Sequence, residues 1–175
     1  MKRLRLYGPP MAQAPFGKIM RASAGAALGL TLAGAILWLA TGSGDFLDQP
    51  MLVAPFAATT LLIFAVPTSP LAQPWVVVLG NFIAAFCGLV ALALVSHPLE
   101  GVAIAVFASI PLMSWARALH PPAGGMAAFV VLAAAPGSPP DWIFLLTPVL
   151  SGSVLLVAFG ILWHRLTGTA YPFRP

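Results

Sequence analysis

Between residues 49 and 140 the chain carries only two charged side chains, Glu100 and Arg117. A soluble domain devotes about a quarter of its residues to charged side chains. Here only 7% of 175 residues are charged, which is too few to cover a folded surface in water. This pattern excludes a soluble enzyme, a disordered chain and a nucleic-acid-binding protein, and it predicts a chain that lies in a lipid bilayer.

Six apolar stretches could cross the bilayer as helices. A spanning helix needs about 20 mostly apolar residues, because the hydrocarbon core is about 30 Å thick. The second and fifth stretches would extend only about 22–24 Å as straight helices. We predict an all-α membrane protein with six transmembrane helices, of which helices 2 and 5 are short. A four-helix alternative makes those two re-entrant loops. The stretches are residues 22–41, 51–66, 75–96, 101–116, 121–135 and 142–163.

The charged residues separate by side when all six stretches cross and the N-terminus lies in the cytoplasm. All eight Lys and Arg then fall on the cytoplasmic side, and all four Asp and Glu fall on the other. An excess of basic residues is typical of cytoplasmic segments. We therefore predict a multi-pass protein of the cell inner membrane with both termini cytoplasmic: a basic N-terminal segment, residues 1–21, and a tail, residues 164–175.

The sequence contains a possible internal repeat, in which two segments are similar when they are aligned with an offset of 69 residues. Ala54 then falls on Ala123, and the P-x-S-P pattern of residues 67–70 falls on residues 136–139. Coincidence in a membrane sequence of low complexity is the alternative interpretation. A true repeat would give each unit three helices, so the second unit would be inverted in the membrane.

The two predicted repeat units are residues 22–96 and 101–163. Inverted repeats are typical of transporters, and a matching pair of short or Gly- and Pro-interrupted segments points to the substrate site. Here that pair is helices 2 and 5, the two shortest stretches. The short length of helices 2 and 5 and their matching positions in the repeat therefore both indicate this pair as the substrate site.

The densest cluster of unusual residues joins the fourth stretch to the fifth. A proline suits the first turn of a helix, and the free N–H groups and partial positive charge of a helix start favour an anion. The alternative is a simple helix cap at the cytoplasmic surface. The candidate binding residues in this cluster are Arg117, His120, Pro121, Pro122, Ala123, Gly124 and Gly125.

The corresponding segment of the first unit contains Ala54 and Pro55, and we expect Pro55 to break or kink helix 2 early. Thr59 and Thr60 follow, and their hydroxyls either line a path or bond back to their own helix. Asn81 is the amide within helix 3. It either contributes to the site or forms a hydrogen bond between helices. All five residues are included in the candidate site.

The sequence offers little for catalysis or for metal binding. Its three histidines lie far apart in the sequence, Glu100 is the single acidic residue within five positions of any of them, and Cys87 is the only cysteine. No nucleophile, paired-carboxylate or phosphate-loop pattern is present. We expect no metal, no cofactor and no enzymatic activity.

Three segments carry a resemblance to a known family. Residues 119–125 resemble the signature of the HPP family of integral membrane proteins, and residues 69–74 resemble its second marked segment. His164-Arg165-Leu166, followed by Tyr171-Pro172, is similar to the family's C-terminal end, although the family more often has Asn at position 164. The resemblance covers roughly residues 20–172. It implies four transmembrane helices by the family's usual count, and some plant-plastid and cyanobacterial members are similar to nitrite transporters.

Together these observations predict a transporter or channel for a small monovalent anion, with nitrite as the first candidate. The facing N-termini of helices 2 and 5, at the Ala-Pro-Phe and His-Pro-Pro segments, would replace the hydration of the anion. His120 could titrate near neutrality and couple a proton to transport. The alternatives are a non-transporting membrane scaffold or subunit of a larger complex, and a membrane enzyme that acts on lipid or quinone. A homo-oligomer is compatible with so small a chain.

Overall fold

The computed structural model describes residues 13–41, 50–134 and 140–173, with backbone alone at residues 40–41 and 50–53. Within these ranges the chain is helical and contains no strand. The prediction of an all-α protein with six helices is confirmed. The helices are α1 (Phe16–Thr41), α2 (Pro50–Ala65), α3 (Pro74–Leu94), α4 (Pro98–Trp115), α5 (Pro121–Leu132) and α6 (Ser151–Leu166).

Four helical segments among the described residues are long and apolar enough to cross a membrane. They are Phe16–Leu39, α3, α4 and the segment Leu145–Leu166, which combines a wide helical turn with α6. At 1.5 Å per residue, α2 extends about 24 Å and α5 about 18 Å. These two helices are therefore the short pair, and six helices coexist with four full-length candidate spans.

Prolines mark the starts of several helices. Pro74, Pro98 and Pro121 each stand in the first turn of α3, α4 and α5, where a missing N–H group costs nothing. Pro55 behaves differently from our expectation, because α2 continues through it from Pro50 to Ala65. Of the predicted break or kink, the break is wrong: so near the helix start, the proline removes one backbone hydrogen bond and leaves the rest of the ladder intact. The kink stays a prediction.

Two helix ends also differ from the predicted boundaries. Helix α1 begins at Phe16, so Lys18 and Arg21 belong to its first turns and not to a separate N-terminal segment. Helix α6 continues to Leu166 and therefore includes His164. Hydropathy alone made both predicted segments too short, because charged and polar residues at the ends of apolar helices lower the local mean hydropathy.

Helix α3 lies at the centre of the bundle and packs against α4, α5 and α6, while α1 packs against α2 and α6. Glycines permit the closest approaches. A Cβ atom at Gly88 of α3 would come within 2.7 Å of Val130 Cβ in α5, and one at Gly160 of α6 within 2.6 Å of Ile63 Cγ2 in α2. The small side chains of α3 and α6 therefore allow α5 and α2 to pack against them.

Charged residues lie at opposite ends of the bundle. Lys18, Arg21, Arg117 and Arg165 lie at the end where α1, α3 and α5 begin and α2, α4 and α6 finish. Arg21 donates a hydrogen bond to the Thr167 carbonyl there, at 3.3 Å. We call this the basic end. Glu100 and Asp141 lie near the starts of α4 and α6, at the opposite end.

Candidate functional site

His120 is fully buried at the start of α5, directly after the turn that ends α4. Its Nδ1 atom lies 3.0 Å from the Leu71 carbonyl oxygen, and its Nε2 atom lies 2.9 Å from Thr59 Oγ1. Because a carbonyl can only accept, Nδ1 carries a proton and donates it to Leu71. The imidazole is thus held from both sides, by α2 and by the segment that precedes α3.

The hydrogen bond to Leu71 determines the tautomer of the neutral ring. A neutral ring with a proton on Nδ1 leaves the Nε2 lone pair free to accept the Thr59 hydroxyl hydrogen.

The start of α5 lies within the bundle, below the ends of its neighbours. Thr59 precedes the last residue of α2, Ala65, by six positions, and Gly80 follows the first residue of α3 by six positions. Six residues of helix correspond to about 9 Å. A Cβ atom at Gly80 would come within 2.6 Å of His120 Cβ. Helix α5 therefore begins roughly a turn and a half inside the basic end.

The two prolines that start α5 reduce the number of backbone donors at its N-terminus. Pro121 and Pro122 have no N–H group, and the Ala123 N–H donates to the His120 carbonyl at 2.9 Å. The first turn of α5 therefore supplies fewer free N–H groups to an anion than an ordinary helix start, and binding of an anion here stays a prediction. The partial positive charge of the helix dipole remains.

The Ala54-Pro55-Phe56 segment lies in the second turn of α2 and not at its N-terminus. Helices α2 and α5 lie side by side and run in opposite directions, since α2 ends and α5 begins at the basic end. Their N-termini therefore lie at opposite ends of the pair. The predicted arrangement of facing N-termini is wrong.

An open groove of about 480 Å³ lies between the packed helices α2 and α5. Its walls are apolar and consist mainly of small residues and prolines. A Cβ atom at Gly124 or Gly125 would have no neighbour within 4 Å, so both glycines border open space. We call this feature the α2–α5 groove. Its lining residues are Ala54, Pro55, Ala58, Pro122, Gly125, Ala128, Phe129 and Leu132.

The two threonines of α2 have different partners. Thr60 Oγ1 donates to the Ala57 carbonyl of its own helix at 2.7 Å. Thr59 Oγ1 lies 3.1 Å from the Pro55 carbonyl oxygen and also contacts His120. Thr60 therefore bonds back to its own helix, whereas Thr59 Oγ1 lies within hydrogen-bond distance of both a carbonyl of its helix and the buried His120 ring.

Asn81 is fully buried and lies outside the groove. Its Nδ2 atom donates to Ser153 Oγ of α6 at 3.1 Å, which is the interhelical hydrogen bond that the sequence offered as one interpretation. Among the described residues, the Asn81 Oδ1 atom has no hydrogen-bond partner. An amide at this position therefore joins α3 to α6.

The other predicted site residues lie at different depths. Arg117 is exposed in the turn after α4 and adopts a left-handed backbone conformation, with φ of 53°. Pro121 is exposed and Ala123 is buried. The structure therefore separates the candidate residues into groove wall, histidine contact, interhelical bond and surface turn. In the described part of the chain, no three His, Cys, Asp or Glu side chains come together.

Sequence reasoning missed how the segment before α3 is held. The Gln73 side-chain amide donates to the carbonyls of Pro67 and Ser69, at 3.0 and 2.7 Å, and its oxygen accepts the Phe173 N–H at 2.8 Å. The Tyr171 hydroxyl donates to the Ala72 carbonyl at 2.8 Å, and burial raises the pKa of that phenol. These bonds fix the carbonyl that His120 uses.

The segments around residues 69–74, 119–125 and 171–173 thus meet at the basic end. The sequence model of the transmembrane region of HPP proteins matches residues 11–172. The chain belongs to the HPP family. The resemblance to the family is confirmed, and His120 and Leu71, which lie in the two quoted segments, contact each other in the structure.

Two curated relatives of this HPP protein are described as transmembrane proteins of Dictyostelium discoideum. One is 36% identical over 139 residues, which cover 69% of this chain and 47% of the relative. The other is 36% identical over 110 residues, which cover 61% of this chain and 35% of the relative. The chain therefore spans less than half the length of these relatives. No solved structure is significantly similar to it.

Proposed function

We propose that this HPP protein transports a small monovalent anion, with nitrite as the first candidate, along the α2–α5 groove. One observation carries the proposal: short α5 begins inside the bundle at buried His120, with open space beside Gly124 and Gly125. Ionisable residues inside membrane bundles mark solute and proton pathways, and short helices mark transporter sites. The proposal includes no chemical change of the solute.

The contacts of the helices support an inverted repeat. The α1–α2 contact has a counterpart in α4–α5, the α3–α4 contact in α6–α1, and the α3–α5 contact in α6–α2. The glycines support it too, because Gly80 and Gly88 of α3 face α5 with the same spacing at which Gly152 and Gly160 of α6 face α2. A polar residue, Asn81 or Ser153, follows the first glycine of each pair and bonds to the other.

The electrostatics favour a singly charged solute. None of the described residues that line the groove carries a charge, and α5 contributes a helix-dipole field of about half an elementary charge near its start. That field compensates one negative charge better than two, since an apolar wall cannot replace the hydration of a multivalent anion. The described basic residues at the basic end would raise the local anion concentration.

The same charges support an orientation. With the basic end in the cytoplasm, the described Lys and Arg residues follow the bias of inner-membrane proteins, and α1 begins and α6 ends on that side. We therefore propose an inner-membrane protein with cytoplasmic termini.

A second candidate function is a non-transporting scaffold or subunit. The groove wall consists of Ala, Gly and Pro with larger apolar residues near one end, and small residues permit close packing of helices in membranes. A helix of another protein could fill the groove in place of a solute. A second copy of this chain could also close it, which would make a homo-oligomer the transporting unit.

Flux into proteoliposomes tests the proposal. The panel is nitrite, nitrate, formate, chloride and urea, with native protein, Gly125→Leu and Gly17→Leu. Both glycines border open space, so either leucine can be accommodated, but only Gly125 lines the groove. We expect selective anion flux that Gly125→Leu reduces at least tenfold and Gly17→Leu leaves unchanged.

No flux above empty liposomes from folded native protein would contradict the transport proposal and favour the scaffold. Equal flux in Gly125→Leu and native protein would exclude the groove as the path.

A further inference from the structure

The Thr59 hydroxyl has one hydrogen and two acceptors within reach. The Pro55 carbonyl oxygen lies 3.1 Å from Thr59 Oγ1, and His120 Nε2 lies 2.9 Å from the same atom. A hydroxyl can donate only one hydrogen, while its oxygen can also accept. The direction of the Thr59 O–H bond is therefore coupled to the protonation state of His120.

Both protonation states of His120 are satisfied by the same heavy-atom positions. When the ring is neutral, Nδ1–H donates to the Leu71 carbonyl and Nε2 accepts the Thr59 hydrogen. When the ring is protonated, Nε2–H donates to Thr59 Oγ1, and the Thr59 hydrogen turns to the Pro55 carbonyl. The ring gains a proton, and both ring nitrogens keep a hydrogen-bond partner.

We propose that His120 and Thr59 form a proton-binding site, and that the proton and the transported anion are bound together. The proton-binding part stands on the hydrogen-bond geometry alone. The joint binding of an anion rests on the function proposed above.

The groups around His120 provide no negative charge that could compensate a protonated ring. The elements around the ring are α2, α3, the segment before α3 and the end of α4, and in their described parts no acidic side chain faces it. Nearby titratable or charged groups are Arg117, which is exposed, Tyr171, which bonds to the Ala72 carbonyl, and His164, which bonds to the Ile63 carbonyl. A buried imidazolium beside a helix N-terminus is therefore uncompensated.

An anion in the groove supplies the missing charge. Pro122 lines the groove two positions after His120, and Pro55 lines it while its carbonyl accepts from Thr59. An opposite charge within a few ångströms favours the protonated form of a histidine. By linkage the bound proton then favours the anion to the same degree. The proton alone or the anion alone would leave an uncompensated charge in an apolar site, whereas the proton and the anion together are neutral.

Nitrogen-15 NMR of the histidine side chains tests the proton site without any transport. The variants are Thr59→Val, which keeps the shape but removes the hydroxyl, Thr59→Ser, which keeps the hydroxyl, and Thr60→Val as the matched control. In native protein at neutral pH we expect His120 to carry its proton on Nδ1. We expect Thr59→Val to remove the hydrogen-bond shift of Nε2, and Thr59→Ser and Thr60→Val to retain it. A proton on Nε2 at neutral pH would overturn the site.

Uptake driven by a proton gradient tests the coupling. Nitrate is the probe, because it remains ionised and does not cross lipid as a neutral acid, and empty liposomes provide the background. For one proton per anion, native protein accumulates nitrate up to about tenfold for each pH unit, acid outside. We expect Thr59→Val and His120→Ala to lose this dependence on the gradient, and Thr60→Val and Thr59→Ser to keep it.

The outcomes separate the two proposals. Nitrate flux that ignores the gradient in native protein would overturn joint binding and leave anion transport in place. Gradient-driven uptake that survives in Thr59→Val would overturn the role of Thr59. No flux of any anion would overturn the proposed function, while the NMR result would still decide the proton site.

Discussion

Gly80→Ala tests whether α5 begins inside the bundle. The added methyl group would meet His120 Cβ at 2.6 Å and the Ala118 carbonyl oxygen at 2.8 Å. Neither atom is the end of a flexible side chain, because the His120 ring is held by Leu71 and Thr59 and Ala118 contributes its backbone. Helix α3 or the turn before α5 must therefore move.

The expected magnitude is a balance of two terms. Replacing glycine by alanine within a helix favours folding by about 1 kcal/mol. Forcing an extra methyl group into a packed site costs about 1–3 kcal/mol, and rigid neighbours place this site at the upper end. We therefore expect Gly80→Ala to lower the free energy of unfolding by about 2 kcal/mol.

The assay is a denaturant titration in mixed micelles, followed by circular dichroism. Gly124→Ala is the matched control, because a Cβ atom there has no neighbour within 4 Å. The control should equal or exceed the native protein in stability. A Gly80→Ala variant as stable as Gly124→Ala, with the His120 resonances unchanged, would refute the placement of His120 against α3.

A further prediction follows from a buried polar contact. Ser153→Ala removes the acceptor of the Asn81 amide, so we expect the free energy of unfolding to fall by about 1–3 kcal/mol in the same titration. The loss should exceed that of Ser114→Ala, whose exposed hydroxyl bonds to the Ile110 carbonyl of its own helix. An equal loss in both variants would contradict the prediction.

The helices could be predicted from the sequence because apolar length and prolines act locally. The six apolar stretches correspond to six helices, and the predicted proline start of helix 5 agrees with α5, which begins at Pro121. Pro55 shows the limit of this local rule. A proline near the start of a helix removes one bond, and α2 continues past it to Ala65.

The location of the site could be predicted from the sequence, but the contacts between its residues could not. Gly125 and Ala54 lie on one groove, as the length of helices 2 and 5 indicated. The Thr59–His120 contact joins residues 61 positions apart, and no local sequence pattern predicts such a contact. The loss of donors at α5 could have been found, because a helix that starts with two prolines lacks two N–H groups. Binding of an anion stays a prediction.

The bonds from Tyr171 and Phe173 to the segment before α3 have a consequence for biosynthesis. Membrane proteins are made from the N-terminus, and early segments fold before later ones exist. Leu71 and His120 enter the bilayer before Tyr171 and Phe173 have been made, yet those residues hold the segment that carries the Leu71 carbonyl. During translation, the histidine site thus stays incomplete until all six helices have left the ribosome. A nascent chain stalled before residue 171 would lack the bonds that hold the segment before α3.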